Sequence, residues 1–397
     1  MSIAVGLFLA LLAQDAPYDP DPQHPWNELH RSLFTFCPSK ADLPREYEGD
    51  PLFWPLPQEP WTAWSVSKDL VDRLDRFKDS LFQDPLKRAI LQHDLWMFLD
   101  GLEGLPMGNT TTWAMESEEL RNELRRRIVP ILRRLALSID ELRALPDNYA
   151  QAVKSKRHAA SFNAAEPERP FLPADLWEPE GPWVLVGNQS DAALAHEHVK
   201  LQRGRSAFFV FVALPGGRAA TLEYVNGLKS IRRVARIPDP PAGTRLLLLR
   251  RAFILDVKGV PHLSPLTEEI RIRASLAQPQ DAPAGFFEFH LNRGDLFKGA
   301  AGGLRATGPG EEAFLPFFNL LATARRVVRT SCTTCHGSGA ILSTGFRLAG
   351  FDPATHERFY DGIPLKASTL EREADLTASR QRNDDSWQLL NRYWPKD

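Results

Sequence analysis

A series of short apolar segments between residues 181 and 300 constrains the fold more than any other feature of the chain. The five segments, each rich in apolar or β-branched residues, are WVLVG, SAFFVFVAL, RLLLLRRAFILDV, EEIRIRAS and FFEFHL. Such segments, divided by turn-forming residues, are typical of strands. The stretch DVKGVPHL predicts a turn between two of them, and residues 221–228 predict a small helix. We therefore predict a central antiparallel domain of β-sandwich or barrel-like form over residues 181–300.

A helical region is predicted before this domain, over residues 64–157. Apolar residues recur there in two stripes with helical spacing: Leu70, Leu74, Phe77 and Leu81, then Leu120, Leu124, Ile128, Ile131 and Leu135. Asp84 and Pro85 have the residue types of an N-cap and a first helical position. Ser138 and Glu141 have the spacing of a capping box, which predicts the start of a further short helix.

These patterns predict an α+β multidomain chain with an N-terminal helical region, a central β-domain and a short helical C-terminal segment. The predicted segments are an apolar signal-like segment (1–16), a Pro- and Trp-rich extended strap (17–63), the helical domain (64–157), a linker (158–180), the β-rich domain (181–300) and the C-terminal segment (301–397). In the last segment, one face of a helix beginning after Pro316 is predicted to contain Phe317, Leu320, Leu321, Ala324 and Val328.

The N-terminal segment suggests export. Its apolar run from Ile3 to Ala13 is shorter than the roughly 20 residues of a membrane-spanning helix and has the length of a signal-peptide core. No Lys or Arg precedes the run, and the alternative is a short buried helix. We expect an exported protein, periplasmic in a bacterium, with no integral membrane span after signal removal. The formal net charge of -2 gives no indication of nucleic-acid binding.

Cysteine is scarce, and its placement points to a cofactor. The three cysteines are Cys37, Cys332 and Cys335, too few for a disulfide framework. The last two form Cys-x-x-Cys-His with His336, the pattern that attaches haem covalently. The stretch 332–339 also resembles the zinc-binding repeat of DnaJ-type chaperones. A structural zinc needs four ligands, however, and those chaperones supply repeats in pairs, whereas this chain has one repeat.

The attachment motif and the predicted helix before it resemble a monohaem c-type cytochrome, and the resemblance covers little else of the chain. It implies one covalent haem c, joined through thioethers at Cys332 and Cys335, with His336 as the proximal iron ligand. It also implies electron transfer with a redox partner protein. Two alternatives stay open. One is a peroxidase-like haem enzyme with an open sixth position, and the other is an exported binding protein in which the two cysteines form a disulfide or a dithiol redox pair.

The chain departs from small soluble cytochromes in the position of its methionines. All four lie before residue 116, so no Met follows the motif as a sixth iron ligand. The candidates for that position are His356, His198 and Met107, and the alternative for each is a surface or core residue that does not contact iron. The choice matters because His/His coordination lowers the reduction potential, Met/His raises it, and an empty position permits ligand binding. Three arginines lie shortly before the motif: Arg325, Arg326 and Arg329. They are compatible with ion pairs to haem propionates or to an acidic redox partner, and equally with the solvent-facing side of an amphipathic helix.

Overall fold

The structure is a computed structural model. It describes residues 18–36, 47–48, 83–101, 118–163, 165–166, 168–195, 198, 205–229, 241–274, 285–313, 326–327, 347–352, 357–362, 365–382 and 385–394. The predicted helix over residues 70–81 therefore lies outside the described residues.

The described N-terminal part is mostly helical. Its elements are α1 (Pro25–Phe34), β1 (Thr35–Phe36), β2 (Tyr47–Glu48), α2 (Pro85–Gly101), α3 (Glu118–Leu135), α4 (Ile139–Ala144) and α5 (Asn148–Ser155). Two predicted helix starts are confirmed. The Asp84 carboxylate accepts a hydrogen bond from the backbone N–H of Leu86 at 2.8 Å, and Ser138 with Glu141 forms both bonds of a capping box. These side chains satisfy N–H groups that a helix start leaves without intrahelical partners.

The rest of the described chain is mostly strand. The elements are β3 (Val184–Asn188), β4 (Ser206–Ala213), α6 (Gly217–Gly227), β5 (Arg245–Leu255), β6 (Pro261–Ala274), β7 (Phe286–Leu291), α7 (Arg293–Phe297), a 3₁₀ turn (Ala301–Gly303), β8 (Leu304–Ala306), β9 (Glu312–Ala313), β10 (Arg326–Val327), β11 (Arg347–Asp352), β12 (Glu357–Gly362), β13 (Leu365–Ala367), α8 (Leu370–Arg382) and α9 (Asp385–Tyr393). All five predicted strands and the small helix at residues 221–228 are thus confirmed.

Seven of these strands form one antiparallel sheet with the order β13-β3-β4-β5-β6-β7-β8. The α+β class and the antiparallel arrangement are confirmed. The predicted sandwich or barrel form is corrected. Within the described residues the seven-stranded sheet is open, with edges at β13 and β8, and the other strands form separate two-stranded sheets. Alternation of side chains identifies the two faces of a strand, but it does not show whether a helix or a second sheet covers them.

Apolar clusters pack against both faces of the sheet. On one face they form a core with residues from α1, α2, α3 and α9, including Trp26, Trp96, Ile128, Phe209 and Trp387. On the other face, valines of β3 and β4 pack with Val225 and Leu228, at and just beyond the end of α6. The second cluster covers only the β13–β5 part of its face, so the opposite part of that face is available to other side chains.

The C-terminal segment differs from its prediction in the part that is described. Arg326 and Val327 form an extended pair with Glu312 and Ala313, so the predicted helix does not include them. A β-branched residue such as Val327 is favoured in strands, and a distant pairing partner outweighed the local helical spacing. β8 and β13 also join the central sheet from beyond residue 300. The division of the chain into separate domains stays a prediction. Within the described residues, no helix is long and apolar enough to cross a bilayer.

Candidate functional site

The structure describes one of the six residues predicted to bind haem or its iron. That residue is His198, whereas the other five lie outside the described residues: Cys332, Cys335, His336, His356 and Met107. Cys37 also lies outside them. The chemistry of the predicted donor set suits haem c, because two thiols match the two vinyl groups and one imidazole matches the iron. The attachment site nevertheless stays a prediction from the sequence.

One face of the central sheet carries a buried row of charged side chains. Arg250 of β5 lies opposite Glu269 of β6, which lies opposite His290 of β7, which in turn lies opposite Arg305 of β8. Residues two apart on a strand share a face, so further charged residues of β6 and β7 project to the same side. The charged face is defined here as Arg250, Glu269, Arg271, Arg273, Glu288, His290 and Arg305. All except Arg305 are buried, and Glu288 is 1% exposed.

Ion pairs compensate the buried carboxylates of the charged face. The Nη2 atom of Arg271 lies 2.5 Å from Oε1 of Glu269 and 3.1 Å from Oε1 of Glu288. Arg250 approaches the other oxygen of Glu269, with Nη1 at 3.5 Å from Oε2. Burial alone would raise the pKa of Glu269, but Arg271 and Arg250 hold that pKa well below its usual range. Glu269 is therefore a carboxylate at neutral pH.

Two imidazoles face this cluster. Nε2 of His290 lies 3.5 Å from Oε1 of Glu288, and the ring centroid of His198 lies 6.0 Å from that of Phe208. Burial lowers the pKa of His290 to about 3, against the attraction of Glu269. Burial, together with Arg271, lowers the pKa of His198 to about 3. Both rings are therefore neutral at pH 7, which is the form of histidine that coordinates metals.

A β-bulge connects the charged face to α2. The register between β5 and β6 shifts at Arg250, so Glu268 opposes no residue of β5 in the ladder. Its carboxylate accepts a hydrogen bond from Ser206 Oγ at 2.6 Å and lies 3.4 Å from both Arg250 Nε and His93 Nε2. Bulges commonly redirect a side chain in this way. A continuous series of charged contacts thus runs from His93 on α2 to His290 on β7.

The charged face contains a group of metal-ligating side chains. Three donor atoms lie within 4.8 Å of one another: one oxygen each of Glu269 and Glu288 and one ring nitrogen of His290. Among the described residues, this is the group of three possible metal ligands with such close spacing. An imidazole with two carboxylates is a donor set that suits first-row divalent metals. The two acids and the histidine come from adjacent strands, so the ladder holds their backbones at a defined separation.

The analysis of the sequence missed this site, although a signal for it exists. In EEIRIRAS and FFEFHL, charged residues alternate with apolar ones. Such alternation is typical of a strand with one face in the core and the other in solvent. Alternation puts Glu269 and Arg271 on one face of their strand, but only the pairing of β6 with β7 brings Glu288 to that face. The same pattern is typical of a face in solvent, whereas the fold buries this one, because burial depends on segments distant in the chain.

No protein-family model, curated protein or solved structure matches this chain.

Proposed function

We propose that the chain is an exported monohaem c-type protein that transfers electrons to or from a redox partner protein. The observation that carries the proposal is the Cys332-x-x-Cys335-His336 motif, which contains two of the three cysteines in the chain. Haem c is attached outside the cytoplasm, so the proposal requires export of the chain. The N-terminal apolar segment is consistent with export. The short C-terminal segment around the motif is the proposed attachment region.

Each residue of the motif has a defined part in this proposal. The thiols of Cys332 and Cys335 would form thioethers to the two vinyl groups, and the imidazole of His336 would bind the iron. The haem supplies a one-electron couple, and the protein sets its potential through the ligand on the other side and through nearby charges. His356, His198 and Met107 are the proposed candidates for that second ligand. Of these, His198 has an imidazole whose pKa is lowered to about 3 by burial and by the charge of Arg271, so the ring is neutral at pH 7.

Covalent haem attachment is tested with a Cys335→Ala variant. After expression with the cytochrome maturation machinery, the wild-type chain should stain for haem on a denaturing gel. The variant, left with one possible thioether at Cys332, should stain more weakly, and a variant that also carries Cys332→Ala should fall to background because no thioether can form. Cys37→Ala is the matched control, since it removes a cysteine outside the motif, and it should keep full staining. An unstained wild-type chain would contradict the haem proposal and favour the alternative of a disulfide between Cys332 and Cys335.

The optical spectrum separates electron transfer from the second candidate, a peroxidase-like haem enzyme. That candidate is kept because no Met follows the motif as a sixth ligand. A low-spin iron that does not respond to carbon monoxide indicates six-coordination and supports electron transfer. A high-spin iron that binds carbon monoxide supports the enzyme. His198→Ala extends the test: a shift from low to high spin assigns His198 as the ligand, and an unchanged spectrum excludes it.

A further inference from the structure

The strongest unassigned feature of the described residues is the trio Glu269, Glu288 and His290 on the charged face. The haem proposal does not use these side chains, and they lie on two paired strands of the central sheet. We propose that the trio binds a divalent first-row transition metal, with zinc as the reference ion, through one oxygen of each glutamate and the imidazole of His290. This metal site is separate from the haem motif and does not depend on it.

The spacing of the donor atoms is close to that of ligands around a tetrahedral zinc ion. Oε1 of Glu288 and Nε2 of His290 are 3.5 Å apart. A tetrahedral zinc with ligand bonds of about 2.0–2.1 Å separates neighbouring donors by roughly 3.4 Å. All three donor atoms lie within 4.8 Å of one another, so the donors reach tetrahedral spacing if the farthest pair moves closer by no more than about 1.4 Å. Three protein ligands with one further position is the ordinary composition of a reactive zinc site.

The neighbouring arginine fits the site as an outer partner. Arg271 donates to Oε1 of Glu269 from both Nε and Nη2, each at 2.5 Å, and its Nη2 also lies 3.1 Å from Oε1 of Glu288. A carboxylate has about four lone-pair positions, so one carboxylate can accept from an arginine and bind a metal at the same time. Carboxylate ligands of metals are ordinarily held in orientation by such hydrogen bonds. Arg271 therefore orients the two acids and balances part of their charge.

The donor types select the class of ion. Imidazole with carboxylates favours zinc, iron, manganese or cobalt, whereas magnesium and calcium prefer sites made entirely of oxygen. The trio contains no thiolate, which disfavours copper(I). Glu288 is 1% exposed, so the ion has to enter during folding or through a transient opening of the fold. Loading is therefore tested on folded protein and on protein refolded with the metal.

The test measures zinc bound to the full-length chain after equilibrium dialysis, by elemental mass spectrometry. The cysteine motif is a second possible zinc site, so the measurement is made in a Cys332→Ser/Cys335→Ser background, which also removes haem iron. We expect about one zinc per chain there, with X-ray absorption showing nitrogen and oxygen ligands only. Glu288→Gln and His290→Gln should each weaken binding at least tenfold, and Arg271→Lys by roughly 10–100-fold.

The matched control is His262→Gln, which alters a histidine that lies 2.9 Å from Asp256 in the β5–β6 turn, outside the charged face. It should leave zinc affinity unchanged. Any of three results would overturn the proposal. The first is that no zinc binds after either loading route. The second is that zinc is lost when the two cysteines are replaced but is kept in Glu288→Gln, and the third is that none of the variants changes zinc binding. If a variant fails to fold, the X-ray absorption spectrum of the zinc-loaded parent decides, because a shell without imidazole excludes the trio. Loss of haem staining has no bearing on these outcomes.

Discussion

Asn148 joins three parts of the fold through one buried amide. Its Nδ2 donates to the carbonyls of Thr267 and Gly302 at 2.9 and 3.1 Å, and its Oδ1 accepts from the N–H of Thr267 at 2.7 Å. Thr267 lies beside the β-bulge that directs Glu268 toward His93. The side chain thus pairs backbone groups that an irregular strand cannot pair within the ladder.

Replacement of Asn148 by alanine should be strongly destabilising. The change leaves buried backbone groups without hydrogen bonds, and each such group costs about 1–3 kcal/mol. We expect the free energy of unfolding to fall by at least about 2 kcal/mol, measured by denaturant unfolding. Asn226→Ala, at an exposed position of α6, is the matched control and should stay within about 0.5 kcal/mol of wild type. Equal effects of the two changes would contradict this role of the amide.

His93 should make the stability of the fold depend on pH. Burial lowers its pKa, outweighing Glu268, while Arg205 and Arg250 also lower it and Asp94 raises it. The unfolded chain takes up a proton near pH 6.5 and the folded chain does so only at lower pH. The contribution of His93 is therefore complete above pH 6.5 and is lost as the pH falls below that value.

The slope expected from this one histidine rises as the pH falls below 6.5, to at most about 1.4 kcal/mol of unfolding free energy per pH unit. His93→Gln removes the titrating group and should reduce the slope of wild type by that amount. Denaturant unfolding at a series of pH values measures it. An identical slope in the two proteins would show that His93 titrates alike in the folded and unfolded chains.

At the scale of elements, the 3₁₀ turn before β8 packs against the first turn of α5. Gly302 has φ +62°, and a Cβ placed there would lie 1.9 Å from the backbone oxygen of Asn148. Gly299, three residues earlier, has a similar φ of +67°, yet a Cβ there would meet no atom within 4 Å. The two glycines thus separate the effect of backbone conformation from the effect of close approach.

Gly302→Ala should destabilise the protein far more than Gly299→Ala. At Gly299 alanine costs only the left-handed conformation, about 1–2 kcal/mol. At Gly302 the methyl group also forces α5 away from the turn, and we expect a total above about 3 kcal/mol, which is large for one substitution. Denaturant unfolding of both variants provides the measurement. A difference below about 1 kcal/mol would show that the turn moves freely relative to α5.

The elements also show where local sequence was sufficient. The helix starts at Asp84 and Ser138 were predictable, because a cap is formed within four residues of chain. The strand β10 was not predictable, because its partner Glu312–Ala313 lies more than ten residues away and competes with a regular helical spacing. Local sequence was thus sufficient for elements whose residues have no pairing partner in a distant segment of the chain.

At the scale of the whole molecule, a single apolar cluster joins the N-terminal helices, the central sheet and the last helix. It contains Trp96 of α2, Phe209 of β4 and Trp387 of α9, and the Trp96 and Trp387 ring centroids are 5.9 Å apart. A shared core couples the unfolding of the elements that contribute to it. The separate helical and β-domains predicted from the sequence would instead unfold independently.

Calorimetry distinguishes the two arrangements. We expect one unfolding transition for the elements of the shared core, shifted as a whole by Trp96→Ala, because removal of a buried tryptophan costs about 3–5 kcal/mol. Val257→Ala changes an exposed apolar residue, 53% accessible, and should leave the transition nearly in place. Two resolved transitions, of which Trp96→Ala moves only one, would favour the separate domains.

The sequence by itself determined the local features of this protein: the helix caps, the positions of the five predicted strands, the shared face of Glu269 and Arg271, and the proposed haem motif. Each depends on residues a few positions apart, whose geometry follows from helical or strand periodicity. Only the tertiary structure decided that the sheet is open at β13 and β8, that the charged face is buried, and that Glu269, Glu288 and His290 converge. Burial and strand order depend on contacts between distant segments, which local spacing does not specify.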